Sequence, residues 1–350
     1  MAKRVGVLTG GGDCPGLNAV IRATAVAGTK RYGFDIIGIE KGWKGVLEML
    51  TRPLTFDDVI DIVSIGGTIL KTSRTNPYRD EKTAELLRGN LRKLNLDALI
   101  AIGGDDTLSV AYKLFKEGFN VVGVPKTIDN DVALTDKTFG FDTAVNIATR
   151  SLDALKTTAF SHERTIVVEI MGRHAGWLTL ESGIAAGADA VLIPEKPFNL
   201  DELCSLLVKK YESGKRYAIV AISEGAKLKL ENGTSDVTVQ DIVKDAFGNV
   251  RLGGIGKAVA KAIDEKTGIE TRSVVLGHLQ RGGTPSAFDR WLGTRYGLKA
   301  AELVANGEYG RIAALRGTDI IGVEMTDEIL KTRTVPPELA ELTELFQPIK

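Results

Sequence analysis

Residues 97–118 read DALIAIGGDDTLSVAYKLFKEG, and this stretch decides the fold class. A short apolar run ends in two glycines and two acids, and a segment with apolar residues at helical spacing follows and ends at Gly118. The run lacks the alternation of a half-buried strand, which is typical of a strand buried on both faces of a parallel sheet. The stretch therefore predicts one strand, a loop and one helix, in that order.

Five further apolar runs in the chain have the same form. Each ends in glycine or charge: VGVLT before GGGD, VVGV before PKTIDND, TIVVEI before MGRHAG, YAIVAI before SEGA, and SVVLG before HLQRGG. Segments with helical spacing lie between them, such as CPGLNAVIRATAVAGTKRYG and TAVNIATRSLDALKTTA. The alternation predicts a doubly wound α/β protein with mainly parallel sheets, whose ligands bind beyond the carboxyl ends of the strands.

The length of 350 residues allows two ordinary domains or one large α/β unit. We expect a domain change near Gly140. Residues 226–240 have the composition of a hairpin or surface excursion, and the C-terminal segment reads as two short helices separated by Pro336 and Pro337, because proline cannot continue a helix.

The charge balance excludes several classes of partner. The chain has 45 basic and 45 acidic residues, so its net charge gives no reason to expect a nucleic acid or a membrane surface as partner. No apolar run approaches the roughly 18 residues that span a bilayer. Two cysteines, Cys14 and Cys204, are too few for a disulfide framework, and the N-terminal stretch has no signal-peptide pattern, so we expect a cytoplasmic protein.

Two glycine-rich loops are candidates for phosphate binding. Gly10, Gly11 and Gly12 lie between a predicted strand and helix, where free amides and the helix dipole favour an anion, although a structural tight turn explains them equally well. In the loop GGDDT, Asp105 is a candidate Mg²⁺ ligand, directly or through water, because Mg²⁺ commonly joins carboxylates to phosphate oxygens. The alternative, a side chain that caps the following helix, fits Asp106 or Thr107 better.

The loop PKTIDND is the most informative stretch of the chain. Asp129 and Asp131 are two residues apart and share a face if the backbone is extended, and Lys126 can reach the same cleft. An aspartate in line with a phosphoryl group is the usual base of phosphoryl transfer, and nearby cations neutralise the developing charge. The alternative is that DND is simply good turn composition.

Two later loops add cations. MGRHAGW carries Arg173 and His174, and GHLQRGG carries His278 and Arg281. Further arginines at predicted strand or loop ends are Arg74, Arg164 and Arg272. The planar fork of arginine suits phosphate recognition, whereas the three histidines have no zinc-site spacing. The residues alone therefore predict a Mg²⁺-dependent phosphoryl-transfer enzyme whose two substrates both carry phosphate.

Seven motifs in this order resemble the phosphofructokinase family over most of residues 1–300. They are GGGDCPGLNAVIR, GGTILKTSR, GGDDT, PKTIDND, SHERTIVVEIMGRHAGW, AISEGA and ETRSVVLGHLQRGGTPSAFDR. The resemblance implies phosphorylation of the 1-hydroxyl of fructose 6-phosphate to fructose 1,6-bisphosphate, a glycolytic reaction. It also implies two similar doubly wound domains with the active site in the cleft between them. We expect a phosphoryl-donor and Mg²⁺ domain at 1–140 plus about 281–325, a sugar-phosphate domain at 141–280 and a helical tail at 326–350.

The resemblance implies roles residue by residue. Asp129 matches the base, Asp131 the acid that positions base and metal, Thr127 the contact to the transferring phosphoryl group, and Asp105 the Mg²⁺ position. Lys126 and Arg173 complete the catalytic set. The expected donor-binding residues are Gly11, Gly12, Arg74, Gly104, Asp106 and Thr107. The expected sugar-phosphate residues are Arg164, Met171, Gly172, Arg173, Glu224, Arg272, His278 and Arg281. Arg164 and Arg272 match arginines that come from a neighbouring subunit, so we expect a homodimer or homotetramer.

Asp106 and Lys126 bear on the phosphoryl donor. ATP-using members of the family generally have glycine at both positions, which leaves room for the α-phosphate of the nucleotide. One related branch keeps the lysine and uses ATP, so Asp106 decides the case. The pair resembles the pyrophosphate-dependent branch, which implies a reversible reaction. The alternatives are an ATP-dependent 6-phosphofructokinase, an enzyme like NAD or lipid kinases, and a non-catalytic sugar-phosphate-binding subunit. PKTIDND with MGR and HLQRGG argues against the second, and the presence of Asp105 and Asp129 argues against the third.

Overall fold

A computed structural model describes residues 2–230, 233–235 and 254–345. Its strands are β1 (Arg4–Thr9), β2 (Asp35–Ile39), β3 (Thr51–Pro53), β4 (Ala98–Gly103), β5 (Val121–Thr127), β6 (Phe139–Gly140), β7 (Thr165–Ile170), β8 (Ala190–Leu192), β9 (Ala218–Ser223), β10 (Leu228–Leu230), β11 (Gly233–Ser235), β12 (Thr271–Val275), β13 (Arg311–Arg316) and β14 (Asp319–Glu324).

The α-helices alternate with these strands over most of the chain. They are α1 (Leu17–Tyr32), α2 (Gly42–Leu47), α3 (Phe56–Val59), α4 (Glu81–Leu94), α5 (Asp105–Lys116), α6 (Phe141–Ser161), α7 (Trp177–Ala185), α8 (Leu200–Glu212), α9 (Ile255–Thr267), α10 (Ala287–Asn306), α11 (Pro337–Ala340) and α12 (Leu342–Leu345). Short 3₁₀ helices span Ile62–Ser64, Gly277–Arg281 and Asp327–Leu330. In the part of the chain that the structure describes, no helix is long and apolar enough to cross a membrane.

The first sheet has the order β3-β2-β1-β4-β5-β13-β14, and β6 also pairs with β5. The neighbours from β2 to β13 are parallel, and β3 and β14 join the two edges antiparallel. After β1 the chain runs outward through β2 and β3 and then returns to β4 on the other side of β1. The winding direction therefore reverses between β1 and β4, and a ligand crevice opens at such a point beyond the strand ends.

The second sheet has the order β12-β7-β9-β8, with all neighbours parallel. All six predicted apolar runs form strands of the two sheets, and β4, β7 and β9 are buried along their whole length, as expected for strands covered on both faces. The predicted α/β class with mainly parallel sheets is confirmed. Residues 228–230 and 233–235 form the predicted hairpin, and residues 236–240 lie outside the described part of the chain.

Two local predictions are wrong. The helix after β4 begins at Asp105, with Gly104 as its N-cap, so neither Asp106 nor Thr107 caps it and both lie in its first turn. In the tail, a 3₁₀ helix precedes the two prolines and both short α-helices follow them. Pro337 is the first residue of α11, a position where the missing amide of proline costs nothing, so this proline starts a helix rather than separating two.

Candidate active site

The glycine loop after β1 lies at the reversal point of the first sheet. The amide of Gly10 donates to the carbonyl of Ile102 on β4 (2.9 Å), and the hydroxyl of Thr72 donates to the carbonyl of Gly11 (2.7 Å). Gly11 has a φ of +78°, which favours glycine. A Cβ at Gly12 would lie 2.4 Å from Nη1 of Arg281, so a larger residue here would move this guanidinium from its place on the loop. Arg281 thus joins a loop of the second sheet to the first.

Lys126 lies beneath the glycine loop near the end of β5. Its side chain is buried, and its ammonium donates a hydrogen bond to the carbonyl of Gly12. Burial lowers the pKa of Lys126 and the charge of Arg281 lowers it further, whereas Asp105 opposes the shift. The loop backbone and the lysine therefore form one unit. The Nζ atom of Lys126 lies 3.7 Å from the position that a Cβ of Gly11 would occupy.

The Asp129–Asp131 segment is a turn. Asn130 has a φ of +52°, and its side-chain oxygen accepts from the amide of Thr138 (3.0 Å). The condition of an extended backbone, under which both aspartates would share a face, is not met at Asn130, and the alternative of a turn describes the backbone better. Asparagine tolerates the left-handed conformation better than most residues, which explains its place between two acids.

Despite the turn, the two carboxyl groups lie close enough to interact. Burial raises the pKa of Asp129, and the positive charges of Arg281, Lys126 and Arg173 oppose the shift. Burial together with the charge of Asp129 raises the pKa of Asp131 to about 8. Both pKa values are therefore raised by burial, and a carboxylate with a raised pKa is a better acceptor of a proton.

Thr127 orients both acids. Its hydroxyl oxygen accepts from the amide of Asp129 (3.0 Å), and the hydroxyl donates to the carboxylate of Asp131. Oδ1 of Asp129 is buried without a hydrogen-bond partner among the described residues. A buried acceptor in this state is costly unless a ligand satisfies it, so the site is arranged for an occupant.

The two acids after β4 lie in the first turn of α5. Asp105 is exposed, yet its charge contributes to the raised pKa of both Asp129 and Asp131, so it faces the same cleft. Asp106 is its half-buried neighbour, and the side chain of Thr107 is buried beneath the glycine loop, within 2.6 Å of where a Cβ of Gly10 would be. Arg74 follows Ser73, whose carbonyl accepts from the amide of Gly11.

The second sheet contributes Arg173 after β7 and Glu224 after β9. Burial and the charge of Asp129 raise the pKa of Glu224 to about 7, while the amide of Gly172 and the charge of Arg173 oppose the shift. The amide of Gly225 also donates to the carbonyl of Gly172 (3.0 Å), which links the two loops. The carboxyl ends of the two sheets therefore face each other, with Asp129 on one side and Glu224 on the other.

The 3₁₀ helix after β12 divides two residues that the sequence grouped together. Arg281 turns towards the glycine loop, where its Nη1 donates to the carbonyl of Asp13 (3.2 Å), and His278 is exposed. Between them, Gln280 is fully buried and accepts from the amide of Met171 (3.3 Å). Gln280 therefore holds the loop after β12 against the loop after β7.

Arg164 and Arg272 lie at the opposite end of the second sheet. They precede or begin β7 and β12, and both pair with Glu270, at 3.3 Å and 2.9 Å. At roughly 3.3 Å per residue, the length of β7 puts Arg164 about 20 Å from Met171. The structure therefore does not bring these two arginines to the cleft of their own chain.

The acids fit a cation that arrives with a phosphorylated substrate. Among the described residues, no three His, Cys, Asp or Glu side chains form a group that could hold a metal ion alone. Mg²⁺ typically takes one or two carboxylates and completes its shell with phosphate oxygens and water. Exposed Asp105 and the unsatisfied oxygen of Asp129 are donors of that kind.

The sequence model of the family described as Phosphofructokinase matches residues 4–304. The chain belongs to the phosphofructokinase family. The chain is 54% identical over 344 residues to a protein of Amycolatopsis methanolica named pyrophosphate--fructose 6-phosphate 1-phosphotransferase, covering 98% of this chain and 99% of that one. It is also 51% identical over 333 residues to a Streptomyces coelicolor protein named ATP-dependent 6-phosphofructokinase 3, covering 95% of this chain and 96% of that one.

A solved structure shares the fold of this chain. It is the pyrophosphate-dependent phosphofructokinase of Nitrosospira multiformis, with a TM-score of 0.82 and 19% identity, covering 100% of this chain and 93% of that one. At this identity the likeness concerns the fold alone.

Sequence reasoning missed three residues that shape the site: Asn130, Gln280 and Arg333. Asn130 had a signal, because asparagine between two acids is a good left-handed turn residue. Gln280 lies within the motif GHLQRGG, but its uncharged side chain gave no signal of a structural role. Arg333, which contacts the Asp129–Asp131 turn from the C-terminal segment, had no local signal at all.

Proposed function

We propose that this phosphofructokinase-family enzyme reversibly transfers a phosphoryl group from pyrophosphate to the 1-hydroxyl of fructose 6-phosphate. The observation that carries the proposal is the position of Asp106 in the first turn of α5, one residue before Thr107, whose side chain packs beneath the glycine loop that buried Lys126 also contacts. A carboxylate about 4 Å from a phosphate oxygen, at a dielectric of about 20, costs on the order of 4 kcal/mol. The carboxylate of Asp106 would repel the α-phosphate of a nucleotide by about this free energy. Pyrophosphate has no third phosphate, so this repulsion does not arise.

Lys126 supplies the opposite charge. Its ammonium is directed at the carbonyl of Gly12, so a phosphate placed on the glycine loop lies within its field. Pyrophosphate has no adenosine to contribute binding energy, and a buried cation offsets part of that loss because charge interactions strengthen away from water. The expected donor-binding set is Gly11, Gly12, Arg74, Gly104, Asp106 and Thr107.

Asp129 is the proposed base. It removes the proton from the 1-hydroxyl of the sugar while Thr127 and Asp131 hold its orientation, and its raised pKa brings it nearer to the pH at which proton transfer is efficient. Arg281, Lys126 and Arg173 surround it with positive charge. These cations balance the charge of the transferring phosphoryl group.

Mg²⁺ is the proposed cofactor, held by Asp105 together with the donor's phosphate oxygens, and Asp129 offers the nearby unsatisfied oxygen. When bound, the ion supplies charge neutralisation on the phosphates. Proposed sugar-phosphate contacts within the chain are Met171, Gly172, Arg173, Glu224, His278 and Arg281.

We further propose the domain division 1–140 plus about 281–325, 141–280 and 326–350. The strands of the first sheet fall within residues 4–140 and 311–324, and those of the second within 165–275, which supports the division. The cytoplasm stays the predicted location. Both cysteines are free buried thiols, as a reducing compartment favours.

The proposed enzyme is a homodimer or homotetramer in which Arg164 and Arg272 complete the site of a neighbour. Both lie at the end of the second sheet opposite their own cleft, and Val275 and Leu279, at the end of the edge strand β12 and just after it, are 54% and 67% exposed. Such apolar exposure supports an interface between copies.

Mixing two defective variants tests this assembly. Asp129→Asn and Arg164→Ala/Arg272→Ala are each expected to be nearly inactive alone, and co-refolded hybrids recover activity because one site in the hybrid has an intact base and intact arginines. If the hybrids stay as inactive as the parents, the arginines do not act across the interface.

The function itself is tested with fructose 6-phosphate, Mg²⁺ and either pyrophosphate or ATP, measuring fructose 1,6-bisphosphate. We expect kcat/KM to favour pyrophosphate and the reverse reaction to release pyrophosphate from fructose 1,6-bisphosphate and phosphate. A preference for ATP would make the chain an ATP-dependent enzyme, the name that its Streptomyces coelicolor relative carries. No turnover of fructose 6-phosphate with either donor would refute the proposal.

A further inference from the structure

Residues 332–335, here named the C-terminal strap, lie against the Asp129–Asp131 turn. Thr332 forms an antiparallel bridge with Val132, and the amide of Arg333 donates to the carbonyl of Asp131 (2.7 Å). Nη1 of Arg333 donates to the carbonyl of Asn130 (2.9 Å). The strap therefore contacts the turn through two successive carbonyls, on the backbone side of the two carboxylates.

The same strap is fixed to the second sheet. The guanidinium of Arg333 lies 4.3 Å from the ring centre of Trp177, and the indole nitrogen of Trp177 donates to the carbonyl of Arg333 (3.0 Å). The carboxylate of Glu195, after β8, accepts from the amides of Val335 (2.9 Å) and Gly176 (2.9 Å). Gly176 ends the loop that carries Arg173, so one carboxylate joins the strap to that loop.

The side chain of Arg333 is half-buried, because its guanidinium lies between the indole ring of Trp177 and the carbonyl of Asn130. A guanidinium fills this space with a planar group that stacks and donates at once, which the ammonium of lysine does less well. Asn130 has a left-handed backbone, which asparagine tolerates but which is not the only conformation open to it, so contacts that hold it fix the turn. Arg333 supplies one such restraint from the backbone side, and Thr138 supplies another through the side chain of Asn130.

We propose that Arg333 is a positioning residue for phosphoryl transfer, which holds the Asp129–Asn130–Asp131 turn in register with the loop of Arg173. This role rests on the proposed function, because it acts through Asp129. The amide and guanidinium of Arg333 bond backbone carbonyls of the turn, so its effect is on the geometry of the base, and misplacement of a reacting group by about 1 Å can cost roughly 10²-fold in rate.

Kinetics of Arg333→Ala provide the first test. We expect kcat with pyrophosphate to fall roughly 10- to 100-fold, with the KM for fructose 6-phosphate changing less than about 3-fold. Arg333→Lys restores part of kcat, since it keeps a donor and a cation over the ring. Lys331→Ala is the matched control, because this tail residue bonds Glu328 and does not contact the turn; its kcat stays at the wild-type value.

Hydrogen exchange separates this role from the proposed function. In Arg333→Ala, the amides of residues 128–138 exchange faster than in the wild type, while those of β1 and β4 keep their protection. This readout needs no turnover, so an inactive wild type would refute the proposed function and leave the strap testable. An unchanged kcat with only a lowered Tm, or unchanged exchange at 128–138, would overturn the positioning role.

Discussion

Two pairs of acids, Asp105 with Asp106 and Asp129 with Asp131, follow neighbouring strands of the same sheet, yet the fold treats them differently. The first pair opens a helix, and Asp105 is exposed. The second pair lies in a turn around Asn130, and burial raises the pKa of both its members.

The contrast between these two pairs shows that an acid at the end of a strand can be exposed or buried, depending on the backbone that follows the strand. The start of α5 has free amides and the positive end of the helix dipole, which makes it a favourable position for acidic side chains that select ligands by charge. The turn after β5 desolvates its acids instead, and desolvation makes them acceptors of a proton. One pair is suited to select ligands and the other to do chemistry.

The largest expected effect comes from the buried pair. Asp129→Asn keeps the shape of the side chain but cannot take a proton, so kcat is expected to fall by roughly 10² to 10⁴. Asp153→Asn, an identical change on the exposed surface of α6, leaves kcat unchanged and serves as the control. If Asp129→Asn is mild and Asp131→Asn is severe, the base is Asp131.

The helix pair is expected to act on donor choice. Replacing Asp106 and Lys126 together by glycine removes the charge and the bulk that oppose a nucleotide, so the ratio of kcat/KM for ATP to that for pyrophosphate rises by roughly 10- to 10³-fold. Asp106→Asn separates the two causes, because it removes charge and keeps bulk. An unchanged ratio in the double variant contradicts the assignment of donor choice to these residues.

The sequence predicted the strands and their loops well because buried parallel strands are continuous apolar runs. It placed Asp105, Asp129, Arg173 and Glu224 at strand ends, and the parallel sheets bring these ends together. The start of α5 was misplaced because Gly104 has no side-chain signal as a cap, and the sequence left the backbone at Asn130 open between an extended segment and a turn. Arg333 was unpredictable, because its partners lie 156 and 203 residues away along the chain.

The smallest expected effect is on the free energy of unfolding. Its dependence on pH has opposite signs for Asp131 and Asp58, because the fold raises the pKa of the first and lowers that of the second. Asp131 has a pKa of about 8 in the fold against an ordinary value of 3.8, so the folded chain binds more protons than the unfolded chain between these values. Its contribution to the free energy of unfolding therefore falls as pH rises through this window. The side chain at position 131 of the Asp131→Asn variant cannot ionise and does not lose this contribution. Without ligands, the Tm of the variant minus that of the wild type is therefore expected to increase by a few degrees from about pH 4 to about pH 8.

Asp58 is the contrasting case, because the hydroxyl and amide of Thr55 donate to its carboxylate and lower its pKa. Its stabilising contribution is present above the ordinary carboxyl pKa and is lost as pH falls through the lowered one. Asp58→Asn is therefore expected to lower Tm near neutral pH, with the loss shrinking in acid. Thermal unfolding of Asp131→Asn from about pH 4 to pH 9, and of Asp58→Asn from about pH 2 to pH 7, checks the pair because each range covers the window of its own acid. Parallel curves for Asp131→Asn and the wild type would show that this carboxyl is solvated, and the contrast between the two acid pairs would then lose its physical basis.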